Sequence, residues 1–352
     1  MTLEQTIASV RPLCRGSMQA ARERFSAIAM PLGSLGLLQE AVVQLAGIRR
    51  TPRPSITKRA CVVFCADNGV VAQGVTQCGQ EVTAAVAENM DKGLSTVCLM
   101  AQHIGMTVFP VDIGVARPVC GSRILQKNIR RGTADITRGA AMTRQEAVRA
   151  VETGIALAAD CAKQGYTLLC GGEMGIGNTT TSAAVTAALT GADARTVTGR
   201  GAGLSTEGLA RKVHAVETAL ALHRPDGTDA LDVLHKVGGL DIAGLCGLYL
   251  GAAACGVPAV LDGVISCAAA LLAVRLCPAA ADYLLAAHCP AEPAGALLLR
   301  ALDKRPFLTA GLRLGEGTGA VAGVSLLDLT LAAYDGMPRF DEVGIEAYQP
   351  QR

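Results

Sequence analysis

No tryptophan occurs in the 352 residues, and aromatic side chains of any kind make up only 3% of them. Charge of one sign is missing too: the formal net charge is +2, and no run of five or six like charges appears. Nucleic-acid binding rests on a concentrated basic surface, so that class is disfavoured. The thirteen cysteines contain no CxxC pair, and the nearest approach is Cys61 and Cys65. Their number is odd, and they are scattered through apolar segments, as at Cys98, Cys170, Cys246, Cys255 and Cys267. That pattern argues against a disulfide scaffold and for small buried thiols in a reducing cytoplasm. Five dispersed histidines give no zinc-site spacing, and no metal is expected. The N-terminal MTLEQTIASVRPLC mixes acid and base in an amphipathic pattern and is no signal peptide. Residues 242–261 carry no charge over the length of a membrane span. Gly256 and Pro258 break that run, so a buried helix followed by a short buried strand is expected instead.

What is abundant is glycine, at forty residues, within a chain that is 50% apolar. Several apolar runs end in a polar or glycine-rich turn, and a helix-like segment follows most of them. CVVFCADNGV leads to Asp67 and Asn68, MTVFPVDIGV to Asp112, and YTLLCGGEMG to Glu173. VPAVLDGV leads to Asp262, YLLAAHC to His288, and LTAGLRLGEGTGA to Glu316. Strands apolar on both faces and alternating with helices predict an α/β fold, a doubly wound, mostly parallel sheet with helices on both faces. Ligands of such sheets bind beyond the carboxyl ends of the strands, where these polar residues fall. Residues 1–54 read as helices ending in the linker TPRPS, and the polar tail 336–352 is expected to return to them as a small helical domain. Residues 55–335 form the large domain.

Three turns carry candidate chemistry. In LLCGGEMGIGNTTTSAA, Gly175, Gly177 and Asn178 stand between a strand and a helix, where backbone N–H groups and the helix start favour an anion. Thr179, Thr180 and Thr181 add hydroxyls, although one of them can simply cap the helix. The lysine of a GxxxxGK[ST] loop is absent, and no GxGxxG opens a βαβ unit, which disfavours a dinucleotide-dependent oxidoreductase. VTGRGAGL, with Gly201, precedes a helix holding Lys212; Arg200 can join a phosphate or pair with an acid. In RLGEGTGA, Glu316 reads as a desolvated general base or, slightly favoured by the residues alone, as an acid at a helix start. Asp112 and Asp262 read as acceptors of backbone N–H groups.

As an ordered set, PLGSLGLLQEAVVQLA, CADNGVVAQGV with QEVT, RRGTADITRGAAMT, GEMGIGNTTTSAA, VTGRGAG, GGLDIAG with AVLDG, AHCPAEP and LRLGEGTGA are specific. The chain resembles the nicotinate-nucleotide:dimethylbenzimidazole phosphoribosyltransferases of cobamide lower-ligand synthesis, from about Pro31 to about Asp335. The resemblance implies phosphoribosyl transfer from nicotinate mononucleotide to a benzimidazole-type base, with no cofactor beyond the substrates. It makes Glu316 the proton acceptor and puts Glu173 by the ribose and reacting centre. The 5′-phosphate falls to Gly175, Gly177, Asn178, Thr179, Gly201 and Lys212. The base falls beside Met174, Leu314 and Gly315, with Gln80 at its edge. It also implies a soluble cytoplasmic homodimer, or a heterodimer with a paralogue.

The chain departs from the family pattern at Asn68, where histidine is usual, at Cys78-Gly79, which replaces an aromatic-proline pair, and at Leu240-Asp241, Pro290 and Gly295. Two further readings therefore stand beside the first. One is a relative that forms α-O-ribosides of phenol or p-cresol; the other is a weakly catalytic, nucleotide-binding partner subunit.

Overall fold

The structure is a computed structural model, and it describes residues 1–349; the last three residues of the expected returning tail lie outside them. Three helices come first: α1 (Leu3–Ser9), α2 (Arg15–Ala27) and α3 (Gly36–Arg49). Strand β1 (Arg59–Ala66) is followed by α4 (Glu81–Asp91), α5 (Thr96–His103), β2 (Thr107–Gly114) and the two-residue β3 (Leu125–Gln126). Helix α6 (Arg144–Lys163) leads to β4 (Leu168–Met174) and then to α7 (Asn178–Thr190), α8 (Ala194–Val197), α9 (Thr206–His223), α10 (Ala230–Val237) and α11 (Leu240–Ala254). The chain closes with β5 (Ala259–Leu261), α12 (Val264–Leu276), β6 (Leu284–Ala286), α13 (Gly295–Ala301) and α14 (Thr318–Gly336).

The six strands form one sheet in the order β3-β2-β1-β4-β5-β6, and all pair in parallel. Strand order reverses between β1 and β4, so the chain ends that emerge there part to opposite sides and leave a crevice. The alternation of side chains along β1 explains the layers. Val62 and Phe64 point into a core shared with α6, α11 and α12, while Cys61, Val63 and Cys65 point into one shared with α2, α3, α4, α5 and α14. Buried on both faces, the strands need no polar alternation.

Local signals set the helix starts. Thr143 and Glu146 form a reciprocal capping box at α6, with Thr143 Oγ1 accepting from the Glu146 N–H at 3.1 Å and the Glu146 carboxylate accepting from the Thr143 N–H at 2.8 Å. The charge-free run of residues 242–261 is divided between α11 and β5, and α11 is buried on all sides. Among the described residues no helix is long and apolar enough to cross a membrane. All thirteen thiols are free. The two chain ends meet: the Phe340 N–H donates to the Ala27 carbonyl at 3.1 Å, and the Phe25 and Tyr334 rings pack at a 46° tilt with centroids 4.5 Å apart.

One expectation is corrected. The segment before Glu316 is not a strand. Leu308 makes one bridge to His288, after which Gly311 (φ +67°) and Gly315 (φ +92°) turn the backbone away from any ladder. The short edge strand β3 lies where the sequence offers no apolar run.

Candidate active site

Beyond the carboxyl ends of β4, β5 and β6 lies a cleft that opens to solvent. It gathers residues more than a hundred positions apart, from the turns after β4 and β5, the loop after β6, the glycine turn before α9, and the segment before α14. Glu173, Met174, Gly175, Gly177, Asn178, Thr179, Gly201, Lys212, Leu314, Gly315 and Glu316 all line it. Gln80 does not; its side-chain amide donates instead to the Asn68 carbonyl at 3.2 Å.

One part of the cleft is basic. Lys212 projects from α9 and is almost wholly buried, with its ammonium donating to Thr179 Oγ1 at 2.6 Å. The turn before α9 lies directly against this pair: a Cβ on Gly201 would stand 3.0 Å from Thr179 Oγ1 and 3.2 Å from Lys212 Nζ. Burial pulls the Lys212 ammonium down to about 8, with Glu292 opposing that shift. Among the described residues Arg200 pairs with no acid; its guanidinium ties the turn together by donating to the Leu204 carbonyl at 2.7 Å and to Thr206 Oγ1 at 3.3 Å.

The other part is acidic. Glu173 is the penultimate residue of β4, and its carboxyl is buried and pushed up to about 8, first by burial and then by the charges of Asp241 and Asp262. The Asn178 side chain, expected at the phosphate, instead stands between acids. Its amide donates to Glu173 Oε2 and to Asp241 Oδ2, the latter at 2.9 Å. Asp241 is pushed up to about 6, again by burial first, with the Asn178 amide holding it down. Glu316 sits in the left-handed region at φ +61°, a conformation that costs about 1–3 kcal/mol for a side chain other than glycine. Its Oε2 accepts from the Val97 N–H at the start of α5, at 3.2 Å. Burial raises its proton affinity, the Val97 N–H opposes, and Asp262 raises it further. The turn reaches this position because β4 has no side chain at Gly172, where a Cβ would meet the Glu316 carbonyl oxygen at 2.3 Å.

A buried cation beside a hydroxyl and a tight glycine turn suits a phosphate, while two desolvated acids nearby suit proton transfer and a developing cation. A family model described as phosphoribosyltransferase matches residues 10–345. The nicotinate-nucleotide:dimethylbenzimidazole phosphoribosyltransferase of Acetivibrio thermocellus is 43% identical, covering 99% of both chains. That of Roseiflexus sp. strain RS-1 is 46% identical, over 97% of this chain and 98% of its own. The crystal structure of CobT from Thermus thermophilus superposes with a TM-score of 0.90 at 38% identity, over 95% of this chain and all of that one. The chain belongs to the nicotinate-nucleotide:dimethylbenzimidazole phosphoribosyltransferase family.

Within this family fold, the chain's departures fall in and around the cleft. Cys78 and Pro290 line it, and Gly295 starts α13 behind Pro290. Asn68 is fully buried behind the cleft, accepting from Thr181 Oγ1 at 3.2 Å. Sequence reasoning missed Asp241 as a neighbour of Glu173, whereas His288, placed at a strand end from the sequence, does line the cleft. For Asp241 the signal was available: an acid at the start of a helix with no other charge should be buried and paired. Asp112 and Asp262 do accept backbone N–H groups, Asp112 from Val115 at 2.8 Å and Asp262 from α14 rather than from its own turn.

Proposed function

We propose that this phosphoribosyltransferase moves the phosphoribosyl group of nicotinate mononucleotide to 5,6-dimethylbenzimidazole or a similar base, releasing nicotinate and an α-ribazole 5′-phosphate for cobamide synthesis. The observation that carries this reading is the meeting, in one cleft, of the Lys212–Thr179–Gly201 cluster with the carboxyls of Glu173 and Glu316. Lys212, Thr179 and the N–H groups of the two glycine turns receive the 5′-phosphate. The ribose then lies toward Glu173. The bond from C1′ to the pyridinium nitrogen breaks, and its electron pair goes to nicotinate, which leaves neutral at nitrogen. One azole nitrogen forms the new bond to C1′ from the opposite face, so the configuration inverts. Glu316 takes the proton from the other azole nitrogen. The Glu316 carboxylate also stabilises positive charge building at C1′, and such stabilisation is strong in a water-poor cleft.

Met174, Leu314 and Gly315 flank the acids and offer an apolar slot for the base. Cys78 lines the cleft where the family resemblance leads one to expect an aromatic-proline pair; its small side chain leaves room for a different base, and this supports a second reading with a phenol or p-cresol acceptor. There Glu316 deprotonates the attacking oxygen itself.

The test is purified protein alone, its oligomeric state measured by light scattering, incubated with nicotinate mononucleotide and dimethylbenzimidazole, adenine, phenol or p-cresol. Nicotinate release with α-ribazole phosphate is expected with the benzimidazole. An α-O-riboside as the main product supports the phenolic reading. Turnover that appears only with a paralogous subunit present overturns independent catalysis.

A further inference from the structure

Asp262 stands at the carboxyl end of β5, 2% exposed, and takes no part in the proposed proton transfer or phosphate binding. Its carboxylate is nevertheless the most heavily engaged in the cleft. Oδ2 accepts from the Gly317 N–H at 3.0 Å, and Oδ1 accepts from the N–H groups of Gly319 at 2.7 Å and Ala320 at 3.1 Å. These are unpaired donors of the first turn of α14, reached across the sheet from β5. The Asp262 backbone is anchored in turn: its N–H donates to Ser266 Oγ at 2.9 Å, and that hydroxyl pairs with the buried Tyr249 hydroxyl at 2.6 Å.

Glu316 immediately precedes Gly317. Its left-handed backbone places a general base on a turn that would relax if nothing held the following N–H groups. The Gly172 gap in β4 admits that turn but donates nothing to it from a side chain. We propose that Asp262 is the positioning residue for Glu316, holding the start of α14 so that the Glu316 carboxylate stands over the reacting centre. The inference rests on Glu316 acting as the base.

The charge of Asp262 acts beside its geometry, raising the proton affinity of both Glu316 and Glu173. The other groups facing the Glu316 turn are Glu173 from β4, the Val97 N–H from α5, Cys61 from β1, His288 from the loop after β6, and Arg313 from its own segment. Cys61 touches only the Glu316 carbonyl, and the His288 ring nitrogen stands 3.8 Å from Asp262 Oδ1. Removing the Asp262 charge while keeping its shape should therefore make Glu316 a weaker base as well as a misplaced one.

The test compares Asp262→Asn, Asp262→Glu and Glu316→Gln with the wild type in pH profiles of kcat and in KM for nicotinate mononucleotide. Asp262→Asn can accept through only one side-chain atom, so kcat is expected to fall roughly tenfold to hundredfold. Its KM for the nucleotide should stay within about threefold of wild type, since the Lys212 cluster is untouched. The acid limb of its kcat profile should move to lower pH. A loss of packing alone would leave that limb in place. Asp262→Glu keeps the charge and misplaces it, so kcat should fall while the limb stays, and this variant decides the geometry should Asp262→Asn fail to fold. Wild-type kcat in either Asp262 variant, or an unmoved acid limb in a folded Asp262→Asn, overturns the inference. Normal turnover by Glu316→Gln would instead overturn the base assignment on which it rests.

Discussion

Glu173 and Asp241 share one amide: Asn178 Nδ2 donates to a carboxyl oxygen of each, deep in the cleft wall. Because burial raises Glu173 from 4.5 to about 8, the folded protein holds its proton more tightly than the unfolded chain does. That contribution to stability is complete below pH 4.5 and is lost as pH rises through 8. Glutamine keeps the acceptor for Asn178 and never ionises. Glu173→Gln is therefore expected to melt close to wild type at pH 5 and several degrees higher at pH 8.5, at roughly 1–2 °C per kcal/mol from about 2.1 cal/mol/K of unfolding entropy per residue. A melting difference that does not grow with pH would contradict the burial of an ionisable Glu173.

Lys212 gives the opposite sign. Its ammonium is pulled down to about 8 by burial, so its charge costs stability below pH 8, and the cost fades as pH rises toward 10.5. Lys212→Met is expected to melt higher than wild type at pH 7, with a gain that shrinks above pH 8. Binding should move the other way. Losing a charged hydrogen bond to phosphate costs about 1.5–3 kcal/mol, a KM for nicotinate mononucleotide raised roughly tenfold to a hundredfold. Wild-type affinity for the nucleotide should weaken above pH 8, and the methionine variant should show no such limb.

For Glu316 the decisive comparison is turnover against binding. Glu316→Gln keeps an oxygen for the Val97 N–H but cannot take a proton. Its kcat is expected to fall about 10²–10⁴-fold. Calorimetric affinity for nicotinate mononucleotide should stay within a few-fold of wild type. Equal losses in both would assign Glu316 to nucleotide binding instead.

Much of this site was legible in the sequence because its parts sit at strand ends, where an apolar run breaks into glycine and a polar residue. Glu173 and Gly177 could be nominated that way, and β1, β2, β4, β5 and β6 were all expected strands; Lys212 stood out only as the lysine on the helix after a glycine-rich turn. The partners of those residues were harder to see. Asn178 looked like part of an anion turn because its neighbours are small, yet its side chain is claimed by Asp241, 63 positions away. Leu312 and Leu314 looked like strand residues, but glycines at 311, 315 and 317 with positive φ turn the segment into the arm that carries Glu316. Gln80 was read from its motif alone, and a capping position on α4 turned its amide toward Asn68. Local pattern specifies where a chain turns; long-range hydrogen bonding decides which way a polar side chain then faces.

Gly172 tests whether the absence of a side chain in β4 matters to chemistry rather than to the strand. Alanine there would place its Cβ 2.3 Å from the Glu316 carbonyl oxygen and 2.8 Å from its carbon, backbone atoms that cannot swing aside as a side chain would. The strand keeps its ladder, so overpacking should cost roughly 1–3 kcal/mol while the Glu316 turn is pushed out of place. Gly16→Ala is the matched control, since a Cβ there meets nothing within 4 Å and alanine favours helix α2 by roughly 0.5–1 kcal/mol. Gly172→Ala is therefore expected to lose about a hundredfold in kcat, yet to remain folded at assay temperature and to bind nicotinate mononucleotide through Lys212. Gly16→Ala should melt slightly higher with unchanged kinetics. Wild-type kcat in Gly172→Ala would mean that the Glu316 turn can shift without cost to the reaction.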